Sequence, residues 1–322
     1  MKNNTLAEIA KVLAEKKNIL IYPHINMDGD ALGSAAALCK GLRNLGKNCY
    51  ILIEDDIPGN LLFLDKGYTT CDQNIMDTVE VSICVDCGEE KRFPNRADKF
   101  NSADLTVCID HHATTQFICD YNYVDSSSAA TGELIYALLL EMGVTIDKEI
   151  GEAVFAAITT DTGNFQYSNT SRRSHEIMAD LYDAGIDANG ISIELYENVR
   201  IEKILIKNKV LSTLEMLADG KAAICYMTED MLQETGATGD ETDGVVQELR
   251  SISGVEIAAF LKEQGEGKVK ASLRSKRYAD VAAIASAFGG GGHIRAAGCT
   301  LECSMEEAMI CIKEKIKESI EL

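Results

Sequence analysis

Residues 18–45 read NILIYPHINMDGDALGSAAALCKGLRNL, and this stretch decides the fold. The apolar run from Asn18 to His24 predicts a strand with a sharp polar stop. From Gly29 to Leu45, Leu32, Ala35, Ala36, Cys39 and Leu42 recur at helical spacing, and Gly46 supplies the stop. The strand-then-helix unit repeats. Lys47–Glu54, Val79–Asp86 and Leu105–Asp110 predict three more strands. Their apolar runs are nearly continuous, as in a parallel sheet covered on both faces. Ser128–Met142, Glu149–Thr160 and Ser171–Ala184 predict buried helices. The expectation is a doubly wound, mainly parallel α/β domain over residues 1–190.

Ile191 to Leu217 is charged and free of Gly and Pro, which predicts a helical connector over 191–217. Beyond it, strands are expected at Ala222–Met227, Val255–Leu261, Lys268–Leu273 and Gly298–Leu301. Helices are expected at Glu241–Ile252, Asp280–Phe288 and Glu306–Ile320. Residues 218–322 thus read as a second, smaller α/β domain with a mixed sheet.

The 322 residues carry 51 acids against 31 bases, a formal charge of −20. A protein gripping long duplex nucleic acid by its phosphates presents a broad basic surface. This chain has none, so any nucleic-acid partner must be short. The N-terminal segment lacks the apolar core and cleavage site of a secretory signal. No apolar run approaches membrane-span length. The 11 cysteines are scattered and odd in number, which suits reduced thiols in a cytoplasmic protein. Cys84-x-x-Cys87 lies along a strand and has no second pair nearby, so it does not read as a zinc site. His175 lies on a polar helix and reads as a surface histidine.

The chemistry gathers at strand ends. In an open parallel sheet, ligands collect outside the carboxyl ends of the strands. His24, Asp28 and Asp30 follow the first strand, Asp86 ends the third, and Asp110, His111 and His112 end the fourth. Asp161 closes the helix AVFAAITTD. Asp28-Gly29-Asp30 by itself is also a reasonable turn and helix cap. An apolar strand ending in three ligand-type residues has no packing rationale. So many carboxylates at one edge would repel unless cations neutralised them. Mixed carboxylate and imidazole donors suit two divalent ions, Mn²⁺ best, with Mg²⁺ or Co²⁺ as alternatives. Two such ions about 3.5–4 Å apart form the usual clamp for in-line attack on phosphorus.

His24–Ser34 (HINMDGDALGS), Val85–Arg92 (VDCGEEKR), Ile109–Thr115 (IDHHATT) and Thr159–Phe165 (TTDTGNF) resemble the four motifs of the DHH phosphoesterase superfamily. Ser272–Lys276 (SLRSK) and Gly289–His293 (GGGGH) resemble its DHH-associated domain. The likeness spans nearly the whole chain and is nearest the stand-alone nano-RNase and pAp-phosphatase type. It implies that His24 and Asp28 hold one metal, that Asp30, His111 and Asp161 hold the other, and that Asp86 bridges both. It implies that Asp110 orients His111 and that His112 faces the phosphate. Arg92, Arg274, Ser275, Gly290, Gly291, Gly292 and His293 would contact substrate. The family usually has Pro where this chain has Met27, so a change in loop stiffness is expected. Lys268, Lys270, Arg274, Lys276 and Arg277 form a basic island. Its lysines would equally suit a protected edge strand.

The implied activity is two-metal hydroxide attack on a phosphorus held between the domains. The implied substrates are short oligoribonucleotides and adenosine 3′,5′-bisphosphate. Cyclic di-AMP or pApA hydrolysis is the alternative. Inorganic pyrophosphatase fits less well, because those relatives lack a GGGGH loop. A non-catalytic nucleotide sensor would lack a ligand, and none is missing. No duplex nucleic acid or membrane partner is expected, and a homodimer is left open.

Overall fold

The computed structural model describes residues 3–116, 119–265 and 267–321. The chain divides into two compact units, Met1–Asn198 and Val199–Leu322.

In the first unit, Thr5 and Glu8 form a capping box and open α1 (Leu6–Glu15). The chain continues through β1 (Asn18–Tyr22), α2 (Gly29–Asn44), β2 (Asn48–Leu52), β3 (Thr69–Thr70), β4 (Val81–Val85), α3 (Ala97–Asn101), β5 (Leu105–Asp110) and β6 (Tyr121–Val124). Four helices complete it: α4 (Thr131–Glu141), α5 (Lys148–Asp161), α6 (Arg172–Asp183) and α7 (Ala188–Ser192). The sheet order is β3-β2-β1-β4-β5-β6, with every pair parallel. The order reverses between β1 and β4, which opens a crevice there at the carboxyl ends of the strands.

Strand alternation explains the apolar runs. Ile19 and Ile21 face the larger core with residues of α1, α2, α4 and α5. Leu20 and Tyr22 face a smaller core with Phe93, Phe100, Cys84 and Cys108. Leu38 and Leu42 of α2 are wholly buried, so truncating either to Ala would cost about 2–5 kcal/mol. Gly29 begins α2 against α5, where an added Cβ would lie 2.4 Å from the Thr160 side chain.

Several expectations change. β3 and β6 were not foreseen; two and four residues are too few for a period to emerge. The single connector helix is not present. Residues 193–197 form a π-helical turn, α8 covers Ile201–Leu211, and β7 covers Glu215–Leu217. Absence of Gly and Pro permits a helix but does not enforce one. The burial of Ile206 and Val210 places α8 in the core of the second unit.

The second unit continues with β8 (Ala222–Met227), α9 (Glu229–Thr235), α10 (Val245–Ser251), β9 (Ile257–Glu263), β10 (Lys268–Ser275), α11 (Val281–Ser286), β11 (Gly291–His293), β12 (Ala296–Glu302) and α12 (Met305–Glu321). Its mixed sheet runs β11-β12-β10-β9-β8-β7. Only β8 and β9 pair in parallel; the other ladders are antiparallel. One face packs with residues of α11 and α12, the other with residues of α8 and α10. β10 lies between β9 and β12, so the edge-strand reading of Lys268 and Lys270 does not hold. Among the described residues, no helix is long and apolar enough to cross a membrane. All 11 cysteines are free, and Cys84 and Cys87 are buried in one apolar cluster.

Candidate active site

The crevice between β1 and β4 gathers the acids and imidazoles of four segments. His24 and Asp86 stand just beyond the ends of these two strands. His24 Nε2 lies 3.5 Å from Asp86 Oδ2 and 3.8 Å from Asp28 Oδ1. On the other side, His111 Nε2 lies 3.7 Å from Asp86 Oδ1, 3.8 Å from Asp30 Oδ2 and 3.6 Å from Asp161 Oδ2. Each oxygen of Asp86 therefore faces a different cluster. His24, Asp28 and Asp86 offer one set of converging donor atoms; Asp30, His111 and Asp161 offer a second. Asp28 is also the N-cap of α2, accepting from the Ala31 amide at 3.0 Å, so the cap reading and the ligand reading are compatible.

The buried charges are held against strong opposing forces. Burial, then the charges of Asp86, Asp161 and Asp28, push Asp30 well above the usual carboxylate range. Burial pushes Asp161 up to about 6, with Asp86 and Asp28 adding and His111 opposing. Burial also acts to raise Asp86. The hydrogen bond from His24, the charge of His112, the Thr131 hydroxyl and the charge of His111 outweigh it and hold Asp86 low. Divalent cations would relieve this repulsion, and the oxygen and nitrogen donors present suit them.

Neighbouring groups aim the donors. Asp30 accepts from the Thr131 amide at 2.7 Å, the Gly132 amide at 2.9 Å and the Ser34 hydroxyl at 3.0 Å. Thr131 Oγ1 donates to Asp86 at 2.7 Å. The start of α4 thus orients two of the acids, with its N-terminal dipole favouring their charge. Sequence reasoning missed Thr131, Gly132 and Ser34, since nothing in their local spelling separates them from ordinary helix residues. His111 Nδ1 lies 3.2 Å from the Ser128 carbonyl, which directs Nε2 into the cluster. The Ser128 hydroxyl in turn donates at 2.8 Å to Glu133, a fully buried carboxylate.

Asp110 orients His112, not His111 as expected. Its Oδ1 lies 2.8 Å from His112 Nδ1, and its Oδ2 accepts from Thr115. That contact raises His112 to about 9, so its ring is set up to carry a proton. The imidazole is half exposed and lines a cavity of about 210 Å³ with Asp86, Gly88, Arg92, Thr114 and Thr115. Arg92 is exposed and lines that cavity.

The second unit carries a separate arrangement. Ala296 on β12 pairs with His293 on one side and Arg274 on the other. Directly paired residues share a face, so Arg274 and His293 flank a small residue on one shelf. Arg274 is half-buried and, among the described residues, has no carboxylate partner; it donates to the Leu273 carbonyl at 3.0 Å. Burial and then the nearby positive charge of Arg250 weaken its hold on its proton. Ser275 is buried and its hydroxyl donates to the Ile294 carbonyl. Gly291 and Gly292 are exposed on β11 in a hairpin with β12, not in a free loop. Gly290 packs so closely on β12 that an added Cβ would lie 2.3 Å from the Gly298 carbonyl oxygen.

Residues 18–158 match the DHH family, N-terminal domain, and residues 219–321 match the DHHA1 domain. A Thermus thermophilus protein named bifunctional oligoribonuclease and PAP phosphatase NrnA is 30% identical, over 99% of this chain and 94% of that one. The chain belongs to the DHH family. A Bacillus subtilis protein of the same name is 25% identical over 91% and 92% of the two chains. The crystal structure of an exopolyphosphatase-related protein from Bacteroides fragilis superposes with a TM-score of 0.88 at 26% identity, covering 97% and 96%. Met27 stands where the motif resemblance leads us to expect Pro. Met27 is buried in the core, and the turn around it is held by hydrogen bonds from outside.

Proposed function

We propose that this DHH protein is a divalent-metal-dependent phosphoesterase that hydrolyses short oligoribonucleotides and adenosine 3′,5′-bisphosphate. The observation that carries the reading is Asp86, whose two oxygens each face a separate set of donors. His24, Asp28 and Asp86 would hold one ion; Asp30, Asp86, His111 and Asp161 would hold the other. When bound, such ions lower the pKa of water and offset charge on phosphoryl oxygens. Mn²⁺ suits the donors best.

The chain's own residues supply the rest. His112, hydrogen-bonded to Asp110, would donate to a non-bridging phosphoryl oxygen or to the leaving oxygen. Arg92 at the same cavity offers a second cationic donor. Arg274 and His293 on the second sheet would bind a phosphate group. A cavity of about 210 Å³ on an acidic protein favours a short anionic ligand over a duplex. The relatives' printed activities, over nearly the full length of both chains, support the same substrate class.

The test is a panel of pApA, pAp, cyclic di-AMP and pyrophosphate, each with Mn²⁺ and with Mg²⁺. Turnover of pApA and pAp is expected. Turnover of cyclic di-AMP alone would move the assignment to cyclic dinucleotides. Nucleotide binding with no product under saturating Mn²⁺ would leave a sensor.

A further inference from the structure

We propose that Asp55 and Arg96, with Glu54, form a brace that sets the turn from Pro23 to Asp28 and so tunes the ion affinity of the His24–Asp28–Asp86 cluster. This rests on the functional reading only in that a divalent ion binds there.

The turn has a demanding task. It leaves β1 at Tyr22 and must bring His24 and Asp28 to one point, yet it lies outside regular structure. Asn26 sits at φ +52°, a left-handed conformation that Asn tolerates, and the turn it occupies has support from outside. That support comes from two flanking segments. Arg96 Nη2 donates to the Pro23 carbonyl at 3.0 Å, one residue before the ligand His24. Its Nη1 donates to the Leu52 carbonyl at the end of β2, tying two neighbouring strand ends together. The Asn26 amide donates to Asp55 Oδ2. The Ile25 amide donates to the Arg92 carbonyl at 2.8 Å, and the Ile25 carbonyl lies 2.7 Å from His24 Nδ1. Moving this turn therefore rotates the His24 ring.

The chemistry of the brace argues against a purely stabilising role. Arg96 is 1% exposed, an extreme position for a guanidinium. Its charge is met by Glu54 at 3.6 Å, a long contact. Among the described residues, Arg96 Nε, Glu54 Oε1 and Asp55 Oδ1 are buried without a hydrogen-bond partner. A buried ion pair with unmet groups is at best neutral against apolar packing. What it supplies is direction: a planar donor fork that fixes two carbonyls at once. Neither residue touches substrate or the reacting atoms, so both are positioning residues.

The experiment measures Mn²⁺ binding directly, by calorimetry and by the electron paramagnetic resonance of free Mn²⁺. The proteins are the full-length chain, Asp55→Ala, Arg96→Lys and Arg96→Met. Amide hydrogen exchange over residues 23–28 is followed in the metal-free state. Asp55→Ala sits on a half-buried loop and is expected to keep its melting temperature within a few degrees. It should weaken Mn²⁺ binding at one site by about 10-fold and speed exchange at Asn26. Its KM for pAp should match wild type once Mn²⁺ saturates, with kcat restored. Arg96→Lys, which can keep one of the two carbonyl bonds, should fall between wild type and Arg96→Met. Mn²⁺ affinity within twofold of wild type in folded Asp55→Ala and Arg96→Lys would overturn the brace. A wild-type chain that binds Mn²⁺ and loses that binding on Asp55→Ala, but cleaves no phosphoester, upholds the brace and sinks the functional reading.

Discussion

The crevice of the first unit and the shelf of the second hold opposite local charge. In the crevice, Asp30 and Asp86 are almost wholly buried, and each is aimed by named donors on α4. Their mutual repulsion is built in, and cations resolve it. On the shelf, His293 is exposed and Arg274 half-buried. Arg274 lacks a carboxylate partner among the described residues and feels a second arginine. The crevice stores a deficit of positive charge; the shelf stores a local excess. The first arrangement suits chemistry, where preorganised charge acts on the transition state. The second would suit binding of an anion, as proposed above for phosphate.

Mutations can break this division. Asp86→Ala removes the acid shared by both donor sets, and turnover with Mn²⁺ should fall by on the order of 10³-fold or more. Substantial residual activity would show that the clusters do not act together. His112→Asn should lower kcat by about 10²–10³-fold while Mn²⁺ binding, read by calorimetry, stays intact. On the shelf, Arg274→Ala should raise the KM for pAp about 10-fold with kcat little changed. A collapse of kcat instead would mean that the shelf takes part in the chemical step. Arg250→Ala should act in the same sense and more weakly, by about 3–5-fold, since Arg250 lies beside Arg274 and matches no motif.

The smallest effect concerns stability. Glu256 is 4% exposed and accepts from the amides of Arg277, Tyr278 and Ala279, at 2.9, 2.7 and 2.9 Å. Burial acts to raise its pKa, but those amides outweigh it and hold the carboxyl below its ordinary 4.5. The folded state therefore binds this proton less readily than the unfolded chain. The resulting stability is complete above the unfolded value and is lost as pH falls through the lower folded value. Glu256→Gln should destabilise the chain by about 1–3 kcal/mol near pH 7. The gap between the two proteins, followed by thermal unfolding, should narrow below about pH 4.5. A gap that stays constant into acid would assign the effect to shape rather than charge.

Much of this was legible in one dimension. Leu105–Asp110 and Ala222–Met227 form strands with the expected ends, because apolar runs bounded by polar residues report burial directly. The donor residues at successive strand ends were legible because parallel topology sends every carboxyl end to one edge. The partners were not. Ser34, Thr131 and Ser128 matter through contacts that span up to 101 residues of sequence. Arg96 is 1% exposed between two strand ends, a position no local pattern signals.

What the sequence by itself determined, then, was the class of the fold and the set of candidate donor groups. Both follow from local pattern: periodicity for the elements, residue type at their ends for the donors. Only the tertiary structure decided that Asp110 serves His112, that Asp86 faces two ways, that the Ser275 hydroxyl donates to the Ile294 carbonyl, and that 191–217 is broken. Each of these depends on which side chains meet across strands and helices. Distance and direction between remote residues arise only when the sheet pairs, the helices pack, and buried polar groups must find partners.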